Sequence, residues 1–275
     1  MATVKELLQT VGRGENAIDR LDGECLLSHC LGKPRAWLFT WPDAVVEAAT
    51  VARFRQLQQA RRDGQPLAYL LGRQAFWSLN LAVNQHTLAP RADTELLVRW
   101  ALQLPLPATA RVLELGTGSG AIALALAHER TGWRITATDC SAKALQVARG
   151  NAASLGLDRV SFLRSDWFEQ VPLEPCNLLL SNPPYIAVND PHLRGDGVRH
   201  EPVTALVSGA DGMDALRLLA GGASRYLLRG GWLLLEHGHT QGEAVRWLLR
   251  AAGFDGVETR SDLAGRERVS GGISA

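Results

Sequence analysis

The sequence predicts a doubly wound α/β domain with a mostly parallel sheet, preceded by a small helical domain. Strand and helix patterns alternate from residue 110 onward, which is typical of parallel sheets with helical crossovers. A glycine-rich turn follows the first of these strands, as in folds that bind ligands at the carboxyl ends of their strands. Residues 1–72 carry helical periodicity instead, and a chain of 275 residues has room for both domains.

Residues 1–72 predict a helical bundle without candidate catalytic groups. The stretch "AIDRLDGECLLSHCLG" predicts a helix that ends at Gly32, because glycine commonly terminates helices. A second helix is expected from Pro42 to Gly64. This helix places four apolar residues on one stripe, namely Val46, Ala49, Phe54 and Leu57.

Residues 73–90 predict a β-hairpin that links the two domains, because "FWSLNLAVN" alternates apolar and polar residues. The stretch "PRADTELLVRWALQL" then opens a helix for which Asp93 is the expected N-cap. This helix begins the predicted larger domain, which covers residues 91–275.

The larger domain predicts a seven-stranded sheet. Its first five strands are "RVLELG", "RITATD", "VSFLRSD", "NLLLSN" and "GWLLLEHG". Helices are expected over "AIALALAHER", "SAKALQVARGNAASLG", "DALRLLAGGASRYLL" and "GEAVRWLLRAAG". Two short strands near 257–261 and 267–271 close the sheet.

Composition and charge argue against several functional classes. The chain is 46% hydrophobic with a formal net charge of +1, which does not suggest indiscriminate binding to nucleic acid or membrane surfaces. The N-terminus lacks a signal-peptide core and "AIALALA" is too short to span a bilayer, so a cytoplasmic protein is expected. The cysteines form no C-x-x-C pair and no metal-spaced cluster, so we expect reduced thiols and no metal. They are Cys25, Cys30, Cys140 and Cys176.

The stretch "LELGTGSGAIALA" predicts a strand, a glycine-rich turn and a helix. The turn consists of Gly116, Thr117, Gly118, Ser119 and Gly120. Its glycines let the backbone bend tightly and approach a ligand closely. The N–H groups at the start of the following helix favour polar or negative ligand atoms.

Carboxylates follow the next two strands. Asp139 ends the second strand, where it can accept hydrogen bonds from both hydroxyls of a ribose. Asp166 and Trp167 end the third, where they could hold an adenine ring by a hydrogen bond and packing. A nucleoside-bearing cofactor is therefore expected. The turn also fits the looser Gly-x-Gly-x-x-Ala fingerprint, so an NAD-dependent oxidoreductase is an alternative from another class.

The fourth strand ends at Asn182-Pro183-Pro184-Tyr185. The two prolines end the sheet ladder and hold the residues before them extended. The Asn182 side-chain oxygen and the Pro183 carbonyl can each accept one N–H of a planar –NH2 group, and Tyr185 can pack against it. Such a site grips the amino group at both hydrogens and leaves its face open to an electrophile.

This arrangement suits alkylation of an amide or an exocyclic amine. Such a nitrogen is a poor nucleophile because its lone pair is delocalised, whereas a sulfonium methyl group is electrophilic without further activation. Holding the two in line near attack distance supplies roughly 7–11 kcal/mol. Acceptors for the N–H groups favour the positive charge that develops on nitrogen. No general base is obligatory, because the alkylated nitrogen can lose its proton afterwards.

The Asn-Pro-Pro-Tyr tetrad and the glycine-rich turn together resemble amino-methyltransferases that use S-adenosylmethionine. Further stretches extend the resemblance over nearly the whole chain. They are "RRDGQPLAYLLG" (61–72), "FWSLNLAV" (76–83), "RADTELLV" (91–98), "SDWF" (165–168), "EPVTAL" (201–206) and "LLLEHG" (233–238). With these stretches, the sequence resembles the PrmC family, also called HemK, of release factor glutamine methyltransferases.

The resemblance implies a Rossmann-like methyltransferase fold and S-adenosylmethionine as the cofactor. It implies methylation of the glutamine in the Gly-Gly-Gln motif of class I peptide-chain release factors. It places the residues from Gly116 to Gly120, with Asp139, Trp167 and Asn182, at the cofactor. Asn182, Pro183, Pro184 and Tyr185 would hold the glutamine. Because this pocket reads little beyond a carboxamide, residues 1–72 are expected to dock the folded release factor.

Three departures from the family pattern are visible. Ala92 replaces the proline of the usual Arg-Pro-Asp-Thr-Glu segment, and His200 replaces an aromatic residue before Glu201. The tail "RERVSGGISA" is less aromatic than usual. None of the three removes a predicted site residue, and we assign His200 no role.

Two alternative substrates share the same chemistry. A glutamine methyltransferase of a ribosomal protein would have the same core motifs. A nucleic-acid adenine methyltransferase would also grip a planar –NH2, but it should carry a basic groove, which the net charge does not suggest. The arginines of one segment are expected to form a solvated face or to contact an acidic protein. They are Arg53, Arg55, Arg61, Arg62 and Arg73.

Overall fold

The computed structural model describes residues 2–12 and 18–275. The chain divides into two compact units. The first comprises residues 1–72 and 194–200, and the second comprises residues 73–193 and 201–275.

The first unit is mainly helical. Its helices are α1 (Val4–Gln9), α2 (Arg20–Leu31), α3 (Arg35–Thr40), α4 (Ala48–Arg62) and α5 (Leu67–Leu71). Two short strands, β1 (Ala2–Thr3) and β2 (Val45–Val46), pair antiparallel. Apolar side chains from α1, α2, α3 and α4 are fully buried together and form its core. They include Leu7, Leu26, Leu27, Leu38 and Phe54.

Two predicted helix starts differ from the structure. The helix expected from Ala17 begins at Arg20 in the described residues, because Asp19 Oδ1 accepts a hydrogen bond from Leu21 N at 2.7 Å and caps it; Ala17 itself lies outside them. The helix expected from Pro42 begins only at Ala48. The prediction was wrong there because Val45–Val46 pair with Ala2–Thr3 as strands. The α2 helix ends before Gly32, whose φ of 63° is left-handed.

Residues 194–200 pack with the first unit, although they follow the fourth strand of the sheet in the sequence. Gly197 N donates to the Gly64 carbonyl at 2.9 Å, and Arg199 Nη2 donates to the Asp63 carbonyl at 2.5 Å. His200 Nε2 lies 3.2 Å from the same Asp63 oxygen.

The second unit begins with a hairpin of β3 (Arg73–Phe76) and β4 (Leu79–Ala82), which pair antiparallel. Trp77, in the turn, has a left-handed φ of 56°. Its main-chain N–H donates to Glu95 Oε1 at 2.8 Å, and its indole Nε1 donates to Glu129 Oε1 at 2.7 Å. Two carboxylates of the same unit therefore fix the hairpin turn.

Asp93 is not the N-cap of the helix α6 (Glu95–Gln103), contrary to the sequence prediction. A 3₁₀ turn over Ala92–Thr94 precedes it, and Thr94 occupies the N-cap position without a side-chain cap. Asp93 lies inside the turn, where its Oδ2 pairs with Arg268 Nη2 at 3.0 Å. The extra turn frees the Thr94 hydroxyl for another contact.

A seven-stranded sheet forms the centre of the second unit, which confirms the predicted mostly parallel α/β fold. Its strand order is β10-β11-β9-β8-β5-β6-β7. The parallel strands are β5 (Arg111–Leu115), β6 (Arg134–Asp139), β7 (Ser161–Arg164), β8 (Cys176–Ser181) and β9 (Leu227–Glu236). Two antiparallel strands complete one edge, β10 (Phe254–Ser261) and β11 (Glu267–Ser274).

Helices cover the sheet, and side chains that alternate along its strands fill two separate apolar clusters. The helices are α7 (Ala121–Glu129), α8 (Ala142–Leu155), α9 (Asp214–Gly222) and α10 (Gly242–Ala251). In β8, Leu178 and Leu180 belong to one cluster and Leu179 to the other, as strand geometry requires. The helix predicted to continue through Leu228 stops at Gly222, because a 3₁₀ turn leads into β9 at Leu227. No helix within residues 2–12 and 18–275 is long and apolar enough to cross a membrane.

Candidate active site

The glycine-rich turn follows β5 and depends on left-handed backbone. Gly116, Gly118 and Gly120 have φ values of 76°, 58° and 84°, which side chains with a Cβ rarely adopt. Thr117 N donates to the Thr138 carbonyl at 2.8 Å, and Gly120 N donates to the Thr117 carbonyl at 2.9 Å. The turn is thereby attached to β6 before α7 begins.

Asp139, at the end of β6, is tied to this turn. Its Oδ2 accepts a hydrogen bond from Gly118 N at 2.9 Å, and its Oδ1 accepts one from Ser141 N at 2.8 Å. Burial raises the pKa of the Asp139 carboxyl, and the two N–H donors oppose that rise. Because a carboxylate oxygen can accept more than one hydrogen bond, both oxygens keep capacity for a ligand hydroxyl.

Glu114, which the sequence analysis did not assign, bonds both the same turn and the start of α7. Its Oε2 accepts hydrogen bonds from Thr117 Oγ1 at 2.8 Å and from Ala123 N at 3.0 Å. Burial raises the pKa of Glu114 to about 7. A charged residue inside the apolar strand "RVLELG" is the sequence signal that could have identified it.

Trp167, after β7, stands over the turn. Its φ of 45° is left-handed, and its indole ring lies 3.8 Å from where a Cβ on Gly116 would be. Ser165 Oγ donates to the Trp167 carbonyl at 2.8 Å and accepts from Gln170 N at 3.0 Å, which supports this strained conformation. The neighbouring Asp166 N donates to Gln170 Oε1 at 3.0 Å.

The tip of β8 lies beside the turn. Ser181 Oγ donates to the Leu115 carbonyl at 2.7 Å, which attaches the end of β8 to β5. Asn182 Nδ2 donates to Thr94 Oγ1 at 3.1 Å. Within the described part of the chain, neither Asn182 Oδ1 nor the Pro183 carbonyl accepts a hydrogen bond. Both oxygens therefore have unused acceptor capacity.

Tyr185 is anchored at both ends. Its Oη donates to Glu236 Oε1 at 3.4 Å, and its carbonyl accepts from Gln241 Nε2 at 3.0 Å. Burial and the nearby Glu236 charge raise the pKa of the phenol, so it is a neutral donor. Gly212 leaves no space beside this carbonyl, since a Cβ there would lie 2.4 Å from the Tyr185 oxygen.

A cavity of about 560 Å³ brings most of the predicted site residues together. Those in its wall are Gly116, Thr117, Gly118, Ser119, Asp139, Asp166, Trp167, Asn182 and Pro184. Gly120, Pro183 and Tyr185 do not line it. Gly120 instead packs closely on α8, since a Cβ there would lie 3.2 Å from that of Ala148.

The cavity has further walls that the sequence analysis did not assign. They include residues 85–88, 90 and 94 and, from a later part of the chain, residues 202, 204–205 and 207–209. Glu201 holds part of this wall, because its Oε1 accepts from Ala89 N at 3.2 Å and its Oε2 pairs with Arg91 Nη2 at 2.5 Å. No group of three or more potential metal-binding side chains occurs among the described residues.

The donor and acceptor set of this cavity fits a nucleoside-bearing cofactor next to an amide. The glycine turn supplies close backbone approach, Asp139 supplies acceptors for hydroxyls, and Trp167 supplies an apolar face. Asn182 supplies a further acceptor in the wall of the same cavity. The arrangement can therefore hold two reactants in one cavity.

Two family descriptions match the chain. Residues 3–72 match the PrmC N-terminal domain, and residues 92–194 match the Methyltransferase small domain. A solved structure, a methyltransferase from Pyrococcus furiosus, superposes with a TM-score of 0.56 over 83% of this chain and 100% of that one. At 15% identity this likeness shows the fold alone.

Closer relatives cover nearly the full length. The release factor glutamine methyltransferase of Xylella fastidiosa strain Temecula1 is 52% identical over 256 residues, which is 93% of each chain. The release factor glutamine methyltransferase of Pseudomonas aeruginosa is 49% identical over 270 residues, which is 98% of each chain. Identity of this extent and coverage shows that the chain belongs to the family of release factor glutamine methyltransferases.

Proposed function

We propose that the chain transfers a methyl group from S-adenosylmethionine to the side-chain amide nitrogen of a protein glutamine, the one in the Gly-Gly-Gln motif of class I release factors. The observation that carries this proposal is the Asn182 amide in the cavity wall, with Nδ2 engaged by Thr94 and Oδ1 accepting no hydrogen bond within the described residues. The names of the close relatives support the same substrate.

The residues around the glycine turn would hold the cofactor. Asp139 would accept hydrogen bonds from the ribose hydroxyls with the capacity that Gly118 and Ser141 leave on its oxygens. Asp166 and Trp167 would contact the adenine ring, the first through a hydrogen bond and the second through packing. When bound, S-adenosylmethionine supplies an electrophilic methyl group.

The tip of β8 would hold the glutamine. Asn182 Oδ1 and the Pro183 carbonyl would each accept one N–H of the carboxamide, and Pro184 in the cavity wall would pack against its plane. The Tyr185 phenol donates to Glu236, so we infer that its ring, rather than its hydroxyl, faces the substrate. Pro183 and Tyr185 would thus act from just outside the cavity lining.

Catalysis would rest on position and on the two acceptors. A carboxamide nitrogen becomes positively charged as it is alkylated, and oxygen acceptors at both N–H groups stabilise that charge more than they stabilise the ground state. Proximity lowers the barrier by roughly 7–11 kcal/mol in well-oriented cases. The methylated nitrogen then loses a proton, and no side chain needs to remove it beforehand.

Selectivity for a folded release factor would come from the helical unit. Its surface exposes large apolar side chains, among them Phe39 at 53%, Trp41 at 57% and Val45 at 63%. Exposed aromatic residues are typical of protein–protein contacts. We therefore propose that α3 and the residues that follow it contact the release factor.

The experiment that tests the proposed function compares substrates. Every reaction contains the protein and S-adenosylmethionine with a labelled methyl group. The candidate substrates are tested in separate reactions: a class I release factor, ribosomal proteins, single-stranded nucleic acid and double-stranded nucleic acid. We expect label only in the release factor, and none in a release factor whose motif glutamine is replaced by alanine. Label in a ribosomal protein or in nucleic acid, with none in the release factor, would favour the alternative substrates.

A further inference from the structure

Two buried side chains from distant parts of the sequence bond the tip of β8. Thr94, in the 3₁₀ turn before α6, is 3% exposed and accepts the hydrogen bond from Asn182 Nδ2. Glu236, the last residue of β9, is 1% exposed and accepts the hydrogen bond from Tyr185 Oη. Two of the predicted glutamine-binding side chains, Asn182 and Tyr185, are therefore each connected to a partner that the reaction itself does not require.

The hydrogen-bond roles in this cluster follow from what each group can donate. An asparagine side chain has one donor branch and one acceptor branch, so donation from Nδ2 to Thr94 Oγ1 turns Oδ1 away from Thr94. The Thr94 oxygen receives that bond, so its own proton points elsewhere. The Glu236 carboxyl lies beside the hydroxyl, which stabilises the charged form of the carboxylate.

In its ionised form, Glu236 can fix both hydroxyls in this sense, because an ionised carboxylate only accepts. Tyr185 Oη donates to Glu236 Oε1, and the Thr94 hydroxyl, which stabilises the charged form of the same carboxyl, would donate to it as well. A reversed Thr94 hydroxyl would donate toward Asn182 instead. The asparagine would then flip and present its NH2 group to the substrate NH2 group, and two donors would face each other.

We propose that Thr94 and Glu236 are positioning residues that hold the Asn182 side chain with its oxygen toward the substrate nitrogen. This inference rests on the proposed methyl transfer to a carboxamide. Glu236 acts through Thr94, and Thr94 acts through Asn182. Neither residue touches the reacting atoms.

A purely structural role accounts poorly for Glu236. Its Oε2 is buried and has no hydrogen-bond partner among the described residues, and such an atom normally costs stability. Burial raises the pKa of Glu236 to about 7, although Thr94 and Arg268 both lower it, and Asp93 adds to the rise. Burying an apolar residue of similar size would cost less free energy than burying this carboxyl.

The test uses near-isosteric variants of the full-length protein with a release factor as substrate. Thr94→Val removes the hydroxyl that Asn182 contacts. Glu236→Gln leaves one oxygen and one NH2 group, so one of the two hydroxyls loses its acceptor. We expect each variant to lower kcat roughly 10- to 100-fold, less than the about 10²–10³-fold typical when a direct transition-state contact is lost. The KM for the release factor and the Kd for S-adenosylmethionine should change by less than about threefold.

Two controls separate positioning from general loss of stability. Thr94→Ser keeps the hydroxyl and should restore most of kcat. Thr259→Val removes a hydroxyl that bonds Ser270 Oγ at 2.7 Å, away from the cavity, and should leave kcat unchanged. Binding of S-adenosylmethionine shows that each variant is folded. Should Glu236→Gln not fold, the Thr94→Val and Thr94→Ser pair tests the proposal alone.

The double variant measures whether Glu236 acts through Thr94. We expect Thr94→Val combined with Glu236→Gln to lower kcat about as much as Thr94→Val alone, because the two residues act as one unit. Wild-type kcat in folded Thr94→Val, or effects of the two changes that multiply independently, would overturn the proposal. If the wild-type protein leaves the release factor unmodified, the proposed function fails first and the positioning role falls with it.

Discussion

Gly118 donates its main-chain N–H to Asp139 Oδ2 at 2.9 Å, so the centre of the glycine-rich turn and the end of the neighbouring strand are one connected structure. The left-handed φ of Gly118 orients this N–H toward the carboxylate. A second bond, from Ser141 N to Asp139 Oδ1, fixes the carboxylate from the side of α8. The group proposed to bind the ribose is thus preorganised by its neighbours.

Asp139→Ala should weaken the binding of S-adenosylmethionine. The change removes the proposed acceptors for the ribose hydroxyls and the partner of Gly118 N. Hydrogen bonds to charged groups contribute about 1.5–3 kcal/mol, so the Kd should rise roughly 10- to 150-fold. Titration calorimetry measures this. An unchanged Kd in a folded Asp139→Ala protein would remove Asp139 from the cofactor site.

Asn182→Ala should reduce turnover far more than it reduces binding of the release factor. Asn182 Oδ1 is one of two proposed acceptors for the reacting amide, and orientation counts most in the transition state. We expect kcat to fall about 10²–10³-fold, with a smaller change in KM. Steady-state kinetics measure both.

Asn177→Ala is a matched control for Asn182→Ala. Asn177 lies near the other end of β8, where its Oδ1 accepts from Arg111 N at 2.9 Å, and it is not part of the cavity wall. Its loss should leave kcat near the wild-type value. If Asn182→Ala has the same kcat as Asn177→Ala, near the wild-type value, the tip of β8 has only a structural role.

Glu114→Gln should alter how stability depends on pH. The folded-state pKa of Glu114 is about 7, above its ordinary value of 4.5, because the carboxyl is buried. Between these pH values the folded protein keeps a proton that the unfolded chain has lost. Wild-type stability should therefore fall relative to Glu114→Gln as pH rises, by up to about 1.4 kcal/mol per pH unit.

Urea unfolding at pH 5, 6, 7 and 8 would measure this difference in free energy. Glu114 Oε2 accepts hydrogen bonds from Thr117 and Ala123, and the side-chain oxygen of glutamine can accept the same two bonds. The Glu114→Gln variant should therefore fold. The difference in free energy should level off above about pH 7, where the Glu114 carboxyl is ionised in both the folded and the unfolded protein. A difference that stays constant from pH 5 to pH 8 would contradict a raised pKa at Glu114.

Asn151→Ala should destabilise the second unit and loosen the glycine-rich turn. Asn151 Oδ1 accepts from Ala82 N at 2.7 Å, and its Nδ2 donates to the carbonyls of Ala82 at 3.0 Å and Ser119 at 2.9 Å. Three such bonds contribute roughly 2–4 kcal/mol to the free energy of unfolding. Denaturant unfolding measures this loss, and a change below about 0.5 kcal/mol would contradict it.

Much of the fold was predictable from the sequence because the sheet's apolar runs and the turn glycines are local signals. The glycine turn, the strand-end carboxylates and the Asn-Pro-Pro-Tyr tip each lie on a few consecutive residues. Contacts between distant residues were not predictable in this way. Nothing near Thr94 in the sequence indicates that its hydroxyl contacts Asn182, or that Glu236 lies beside Thr94 and Tyr185.

The wrong helix starts predicted at Pro42 and at Asp93 have the same cause. The periodicity from Pro42 onward fits a helix, but Val45–Val46 pair with Ala2–Thr3, more than forty residues earlier in the chain. Asp93 has the side chain of a good N-cap, yet it pairs with Arg268 from β11. In each case a long-range partner outweighed a local preference.

Replacing the exposed aromatic residues of the helical unit should weaken use of the release factor and leave the cofactor site intact. Phe39→Ala combined with Trp41→Ala should raise KM for the intact release factor about tenfold or more, as for exposed aromatic contacts at protein interfaces. The Kd for S-adenosylmethionine should not change. Trp247→Ala, at a side chain of α10 that is 67% exposed, is the matched control and should have wild-type kinetics. Equal KM values in all three proteins would refute the docking role of α3.

The location of the transferred methyl group tests the central claim most directly. A class I release factor is incubated with the protein and S-adenosylmethionine, digested, and sequenced by tandem mass spectrometry. The account predicts one added methyl group on the side-chain amide nitrogen of the glutamine in Gly-Gly-Gln, and a far smaller modified fraction with Asn182→Ala over the same time. A methyl group on any other residue of the release factor would contradict the account. A glutamine that stays unmodified after prolonged incubation would contradict it as well.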